Sequence, residues 1–413
     1  MKKVALAIAT VAAATAFAPE ASAIPAFARQ TGSACTQCHA QHFPIINAFG
    51  RAFKASGFTL PGVQTFVEGE HLSIPSALNA AVLLKARYQK TSGTDAAISG
   101  ATTTNSGTTN SGQWQIPDEL SLFFGGRVAD SETIKVGMMM ENNLVGGPAG
   151  GIIAGLRVPI VIDLGAAKIS AIPFGTDALG PFYGYTESST GVTRGIRWAE
   201  HRKEISAHQY TGIGAGTASG LAFVAHTDFG YINVSRYSPA FFYVPGATGV
   251  AMTSTAVTLA ATPTIGDWSA VIGLQSLSGK SFADATTAEQ ETTGTGFDAQ
   301  AHGELAGLET GLYATYATTP ATSMFGKKSA ITLGADVTVL PHTLSVGAAY
   351  RSAKTGAADT SDNAITVMAI YDLFQNVALH ANYSIYSGDA YTNADAVGGN
   401  GKSLFTGMLE AAW

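Results

Sequence analysis

The feature that most constrains this chain is an alternation of apolar and polar side chains that runs from about residue 76 to the C-terminus. A period of two is the pattern of β-strands with one apolar and one polar face. The segments approach the length of about ten residues that a strand needs to cross a bilayer within a barrel. The clearest segments are 78–90, 119–129, 133–143, 221–227, 250–261 and 268–277.

Two hairpins and the last segment make the pattern more definite. The first hairpin joins 330–340 to 343–352, and the second joins 364–371 to 377–386 through a turn around 373–376. The last segment, 403–413, ends on an aromatic residue, which resembles the assembly signal of outer-membrane barrels. Alternation places five of its residues on one face: Phe405, Gly407, Leu409, Ala411 and Trp413.

Two stretches without periodicity, 92–112 and 279–295, are rich in Gly, Ser and Thr. We interpret them as long external loops rather than interdomain linkers, because strand-like segments continue on both sides. Barrels of the outer membrane alternate short periplasmic turns with long external loops. The spacing predicts an all-β, antiparallel barrel of about sixteen strands, with fourteen and eighteen also compatible because boundaries shift by several residues.

The N-terminus and the composition indicate an exported membrane protein. Residues 1–23 have the form of a secretory signal peptide, with Lys2 and Lys3, an apolar run and an Ala-Ser-Ala cleavage site before Ile24. Charged residues make up only 13% of the chain, although no later apolar stretch is long enough for a membrane helix. We therefore expect residues 76–413 to form a barrel in the outer membrane of a Gram-negative bacterium. The net charge of -6 argues against a nucleic-acid partner.

The segment ahead of the barrel, residues 24–75, contains Cys35-Thr36-Gln37-Cys38-His39, the attachment motif of a c-type haem. Cys35 and Cys38 would add to the two vinyl groups of one porphyrin, and His39 would bind the haem iron. They are the only two cysteines in the chain, whereas a structural zinc site usually needs four ligands. A plain disulfide is the remaining alternative.

The residues after His39 have helical spacing. Ile45, Ile46, Phe49 and Phe53 recur every three or four residues, and Gly57 is placed to end the helix. These side chains could pack on the porphyrin or form an ordinary small core. Three basic residues are candidate partners of the haem propionates or ordinary solvated charges: Arg29, Arg51 and Lys54.

The position of this segment predicts a plug. An even strand number puts both ends of the barrel on the periplasmic side. About thirty residues are too few for a cytochrome fold of their own, and a haem would supply much of their core. We therefore expect the haem segment to lie at or inside the periplasmic mouth, where it would provide an electron path rather than a solute pore.

The order of these parts resembles the monohaem c-type cytochrome–porin fusion family of outer-membrane Fe(II) oxidases, specifically over residues 24–60 and only in architecture over the barrel. The resemblance implies one haem c, held covalently by Cys35 and Cys38 with His39 as the proximal ligand. It also implies oxidation of extracellular Fe(II), a one-electron oxidoreductase activity. The electron would pass to a periplasmic cytochrome or copper protein.

The sequence offers several candidates for the sixth haem ligand and for the iron entry site. His71 follows enough chain to fold back over the haem, and Met138 or Met140 and an open coordination site are the alternatives. Oxygen and imidazole ligands suited to Fe(II) occur in two clusters, for which ordinary polar loop or lumen residues are the alternative. The clusters are Glu68, Glu70 and His71, and Glu200, His201, Glu204 and His208.

Three functions are compatible with these features. The first is the Fe(II)-oxidising conduit that the resemblance implies. The second is a haem conduit for another electron donor or acceptor. The third is a porin whose haem segment gates the pore. We find no nucleophile motif, P-loop or dinucleotide-binding turn that would favour a different chemistry.

Overall fold

The fold was analysed in a computed structural model of the chain. It describes residues 25–41, 45–92, 112–145, 153–186, 206–240, 251–282, 288–391 and 401–413. The predicted signal peptide and nearly all of the predicted loop at 92–112 lie outside these residues. Among the described residues, no helix is both long and apolar enough to cross a bilayer.

Strands dominate the structure, and the few helices are short. The helices are α1 (Pro25–Thr31), α2 (Ala48–Ala55) and α3 (Ala207–Thr211), with 3-10 turns η1 (Cys35–Gln37), η2 (Pro181–Gly184) and η3 (Asp389–Tyr391). The strands are β1 (Phe66–Gly69), β2 (Leu72–Pro75), β3 (Ala80–Thr91), β4 (Gln113–Asp130), β5 (Ile134–Asn143), β6 (Ile153–Arg157), β7 (Ile160–Asp163), β8 (Lys168–Thr176), β9 (Ala218–Thr227), β10 (Gly230–Ser238), β11 (Ser254–Ala261), β12 (Thr264–Ile265), β13 (Trp268–Ser278), β14 (Lys280–Ser281), β15 (Gln290–Glu291), β16 (Gly294–Leu305), β17 (Leu308–Thr319), β18 (Lys328–Leu340), β19 (Leu344–Thr355), β20 (Thr360–Ser361), β21 (Asn363–Phe374), β22 (Val377–Ser387) and β23 (Ser403–Ala412).

The strands from β3 to β23 close into one antiparallel barrel, apart from the small β14–β15 ribbon. The pairs β6 and β7, β11 and β12, and β20 and β21 each form one interrupted barrel strand, so the barrel has sixteen strands. Closure occurs where β23 pairs with β3, and Val82 and Trp413 exchange backbone hydrogen bonds of 2.8 and 3.0 Å. The predicted fold class, both predicted hairpins and the predicted terminal strand are confirmed.

The two faces of the barrel differ in polarity, as a bilayer requires. Apolar side chains lie exposed on the outward face, including Ile232, Leu274, Leu333 and Val367. Buried polar side chains lie on the inward face, among them Lys85, Arg87, Gln89, Asn233, Gln275, Asp298, Asp336, Arg351 and Asn382. This apolar-out and polar-in alternation is that of a transmembrane barrel.

The two ends of the barrel also differ. One end carries turns of two to four residues, such as Ala306–Gly307 between β16 and β17 and residues 164–167 between β7 and β8. The other end carries longer connections, including 177–217 and 279–293. The barrel begins at β3 and ends at β23 on the short-turn end, which is therefore the periplasmic end.

The N-terminal segment lies inside the bore at this end and reaches both walls. On one side, Gln30 donates to the carbonyls of Phe58 and Leu60 at 2.8 and 3.0 Å, and its Oε1 accepts a 3.3 Å bond from the Arg127 amide of β4. On nearly the opposite side of the barrel, Gln41 donates to the Glu309 and Asp336 carbonyls at 3.2 and 3.4 Å. The segment therefore crosses the bore.

An aromatic cluster holds α1 against α2. The Phe27 ring lies 5.1 Å from that of Phe53 and stacks on Phe58 at 5.0 Å. Where the chain leaves α2, the Gly57 carbonyl passes so close to Gly137 of β5 that a Cβ at residue 137 would overlap it. Close packing of backbone on backbone thus seats the segment on the barrel wall.

The described parts of the connection 177–217, residues 177–186 and 206–217, lie inside the bore. They include η2, where Phe182 and Tyr183 are fully buried, and α3, whose Ala207 amide donates to Thr315 of β17 at 2.9 Å. The Lys54 ammonium of α2 donates to the Thr186 carbonyl and lies 5.0 Å from the centre of the Tyr185 ring. The N-terminal segment and this connection therefore meet inside the barrel.

Substitution of Gly137 by Ala is expected to loosen the segment. Overpacking of this kind costs about 1–3 kcal/mol, so limited proteolysis of residues 25–60 in the detergent-solubilised barrel should become faster by about fivefold or more. Gly407→Ala is the matched control, because a Cβ there would have its nearest contact at 3.5 Å, with Phe405. Equal cleavage rates in the two variants would contradict this account of the contact.

Candidate functional site: the Cys35–His39 turn in the bore

The two cysteines lie on a tight helical turn. The Cys38 and His39 amides both donate to the Cys35 carbonyl, at 3.0 and 2.9 Å, which folds the motif around η1. Both side chains are partly exposed and no disulfide joins them. Burial, and secondly the neighbouring Cys35, raise the pKa of the Cys38 thiol above its ordinary value. This compact turn suits attachment of both thiols to one planar group.

Asn47 joins this turn to α2. Its Oδ1 accepts from the Gly50 amide at 2.9 Å and so caps the helix, while its Nδ2 donates to the Thr36 and Gln37 carbonyls at 3.3 and 3.1 Å. The helix therefore begins at Ala48, and the expectation that Ile45 and Ile46 belong to it is wrong. The predicted end is confirmed, since Gly57 follows α2 with φ of 71°.

A hydrogen bond to the backbone orients the His39 imidazole. Its Nδ1 lies 3.2 Å from the Ile45 carbonyl oxygen, and a carbonyl can only accept, so Nδ1 carries the proton. Nε2 is then the nitrogen with a lone pair for a metal, which is the arrangement found in metal-binding histidines. The chemistry of this donor set fits an axial ligand of haem iron.

The apolar residues near the motif pack mainly on protein. Ile45 is 3% exposed and contacts the inward face of the barrel, whereas Phe53 belongs to the Phe27 cluster. Only Phe49, 40% exposed, lies open. The sequence left two interpretations open, packing on a porphyrin or forming an ordinary core. Ile45 and Phe53 pack in the second way, on other side chains of the protein.

The three basic candidates contact protein groups. The Arg29 guanidinium donates to the Ala80 carbonyl at 3.0 Å. Arg51 is buried and donates to the Ile46 carbonyl at 3.4 Å and to Ser269. Together with Lys54, they link the segment to β3, to β13 and to the connection 177–217.

His71 lies at the tip of the β1–β2 hairpin, in a two-residue turn with φ of 59°. Its side chain and that of Glu70 are each 93% exposed, 3.9 Å apart, and Glu68 accepts from Ser73 at 2.8 Å. No three His, Cys, Asp or Glu side chains among the described residues come together as a metal site. The roles of His71, Glu68 and Glu70 stay predictions.

The two methionine alternatives are on the wrong face. Gly137 faces the bore where it meets Gly57, so strand alternation turns Met138 and Met140 outward, with Met139 inward against the cluster around Ala26. An outward side chain cannot reach a group inside the barrel. Met138 and Met140 are therefore excluded as sixth ligands.

Of the second cluster, only His208 lies within the described residues; Glu200, His201 and Glu204 lie outside them. His208 belongs to α3 and is fully buried, with Nε2 3.0 Å from Gln275 Oε1. Gln275 in turn donates to Asp298. His208 is therefore built into the contact between α3 and the barrel wall, which sequence spacing did not predict.

Comparisons with known proteins support the barrel. No family model and no curated protein matches the chain. The structure is similar to in-vitro folded OmpT, an outer-membrane protein of Vibrio cholerae, at 12% identity over 84% of this chain and 99% of that chain, with a TM-score of 0.50. This likeness shows the barrel fold, and the outer membrane of a Gram-negative bacterium stays the predicted location.

Two further solved structures have related shapes. The outer-membrane channel DcaP of Acinetobacter baumannii is 14% identical over 81% of this chain and 97% of that chain, with a TM-score of 0.49. An anion-selective porin from Comamonas acidovorans is 16% identical over 81% of this chain and 98% of that chain, with a TM-score of 0.47.

Replacing Asn47 by Ala is expected to loosen the turn that carries the thiols. Loss of a helix cap costs about 1 kcal/mol, or about a fivefold change in an equilibrium. In haem-free protein, alkylation of Cys35 and Cys38 should therefore become about fivefold faster. Asn47→Asp keeps the cap but loses the two donors to η1, so it should give an intermediate rate; unchanged rates in both variants would contradict this role.

Proposed function

We propose that this protein is an outer-membrane electron-transfer protein that carries one covalent haem c and oxidises extracellular Fe(II). The closed, porin-like barrel is the part that the structure shows. The haem and its electron donor are the proposed part. The observation that carries the proposal is the Cys35–His39 turn held inside the bore, with the His39 imidazole oriented by the Ile45 carbonyl.

The chain's own residues supply attachment, orientation and shielding. Cys35 and Cys38 would hold the group covalently and His39 Nε2 would bind its iron. The haem would supply a one-electron couple, taking up the electron that external Fe(II) loses on becoming Fe(III). The barrel wall flanks the site, Thr186 of the connection 177–217 contacts the neighbouring helix α2 through Lys54, and insoluble Fe(III) would be left outside the cell.

The height of the segment in the bore supports an electron path. Ile45 packs against Tyr313, the sixth of the twelve residues of β17, so the segment rises to about the middle of the wall. The apolar band of such barrels is about 25 Å tall. A redox group near mid-height lies roughly half that distance from either mouth, which favours exchange with a donor on one side and a periplasmic cytochrome or copper protein on the other.

The decisive experiment mixes the oxidised, purified protein with Fe(II) under anaerobic conditions near neutral pH. Rapid reduction of one haem per protein, followed in the visible absorption bands, is the expected result. Cys38→Ala, which cannot hold haem by two thioethers, is the control and should show loss of the normal covalent haem spectrum. Haem that is reduced by dithionite but not by Fe(II) would exclude iron as the donor and favour a conduit for another donor or acceptor.

A porin gated by its haem segment is the second candidate, favoured by the porin-like barrel itself. The two functions differ in ion flow through the bore. Because α2 and the connection 177–217 meet through Lys54 and Thr186, we expect single barrels in planar bilayers to conduct far less than an open porin. Deletion of residues 25–60 should raise the conductance at least tenfold. High conductance of the intact protein would favour the porin.

A further inference from the structure

The orientation of the His39 imidazole depends indirectly on the barrel wall, through Ile45. The Ile45 carbonyl, which accepts from His39 Nδ1, also accepts from the Ala40 amide at 2.9 Å. The Ile45 side chain is buried in one apolar cluster with the inward residues Tyr313, Ala349, Met368 and Ile370. The position of the carbonyl is therefore set by how the barrel holds this side chain.

Tyr313 is itself held by hydrogen bonds to its hydroxyl. Its hydroxyl donates to the Asp336 carboxylate, with oxygen distances of 3.0 and 3.2 Å, and lies 3.1 Å from His302 Nε2. The His302 ring meets the Tyr313 ring edge-on at 5.6 Å. Since the single hydroxyl proton is given to Asp336, His302 acts as the donor to the tyrosine oxygen. The side chain cannot swing away from β18 about its Cα–Cβ bond without breaking these bonds.

Gly311 has no side chain, which leaves space for this cluster on the barrel wall. A Cβ at Gly311 would overlap the Tyr313 hydroxyl and the Asp336 carboxylate, and it would also lie 2.6 Å from Gln41 Oε1. Gln41, two residues after His39, is anchored by its Nε2 to the backbone of β17 and β18. The chain on both sides of residues 42–44 is thus fastened to the same part of the wall.

We propose that Tyr313 is a positioning residue for the iron ligand His39: held by Asp336 and His302, it fixes Ile45 and thereby the carbonyl that orients the imidazole. This inference rests on the proposed haem but not on Fe(II) as the donor. A hydrogen bond from Nδ1 to a carbonyl makes the imidazole a stronger donor to a metal. It therefore favours ferric over ferrous iron, and its loosening should raise the haem potential.

The test compares the midpoint potential and the ferric EPR spectrum of full-length, haem-loaded variants. Tyr313→Ala should raise the potential; a tenfold loss of preference for ferric iron corresponds to about 59 mV. Tyr313→Phe keeps the ring but loses the bonds to Asp336 and His302, so its potential should lie between those of the wild type and Tyr313→Ala. Tyr386→Ala is the matched control, because it removes another buried lumen tyrosine, stacked on Tyr391 instead of on the haem segment.

Ile45→Ala leaves the barrel wall intact and should shift the potential in the same direction, so it serves even if Tyr313→Ala fails to assemble. A potential and EPR spectrum that are unchanged in Ile45→Ala, or no larger a shift in Tyr313→Ala than in Tyr386→Ala, would overturn the inference. Absence of covalent haem from the wild-type protein would overturn it together with the proposed haem function. A shift in a protein that Fe(II) does not reduce would support the positioning role and reject iron as the donor.

Discussion

The structure depends on one requirement, that every backbone amide and carbonyl within the bilayer finds a partner inside the protein. The closed barrel meets it through continuous antiparallel pairing, completed where β23 pairs with β3. Closure leaves a bore lined by polar side chains, and the described part of the N-terminal segment is fastened to the walls of this bore. The position of the Cys35–His39 turn is thus a result of the way the chain satisfies the membrane.

Much of the barrel could be predicted because alternation is a local signal. Observed β3, β5 and β13 begin or end within about two residues of the predicted segments, since the lipid and the lumen impose opposite polarity on neighbouring residues. The interruption between β6 and β7 and the insertion of 177–217 into the bore were not predicted. They depend on what the opposite wall offers, as when Thr315 receives the Ala207 amide, and such contacts leave no periodic trace.

For the candidate site, the sequence motif predicted the chemistry but not the residues that hold the motif in place. Cys35, Cys38 and His39 are evident because covalent attachment needs those residue types at fixed spacing. An Asn before a helical stretch is a recognisable sign of a helix start. At Asn47 this sign was obscured, because the helical spacing begins earlier, at Ile45 and Ile46. The contact of Ile45 with Tyr313 joins residues 268 positions apart in the chain, so only the closed barrel brings them together.

The seam between the first and last strands has a consequence for folding. Ala26 of α1 packs in one cluster with Ala81 and Leu83 of β3 and with Ala412 of β23. Residues on both sides of the seam therefore share an apolar cluster with the N-terminal segment. Seating the segment and closing the barrel bury the same apolar side chains.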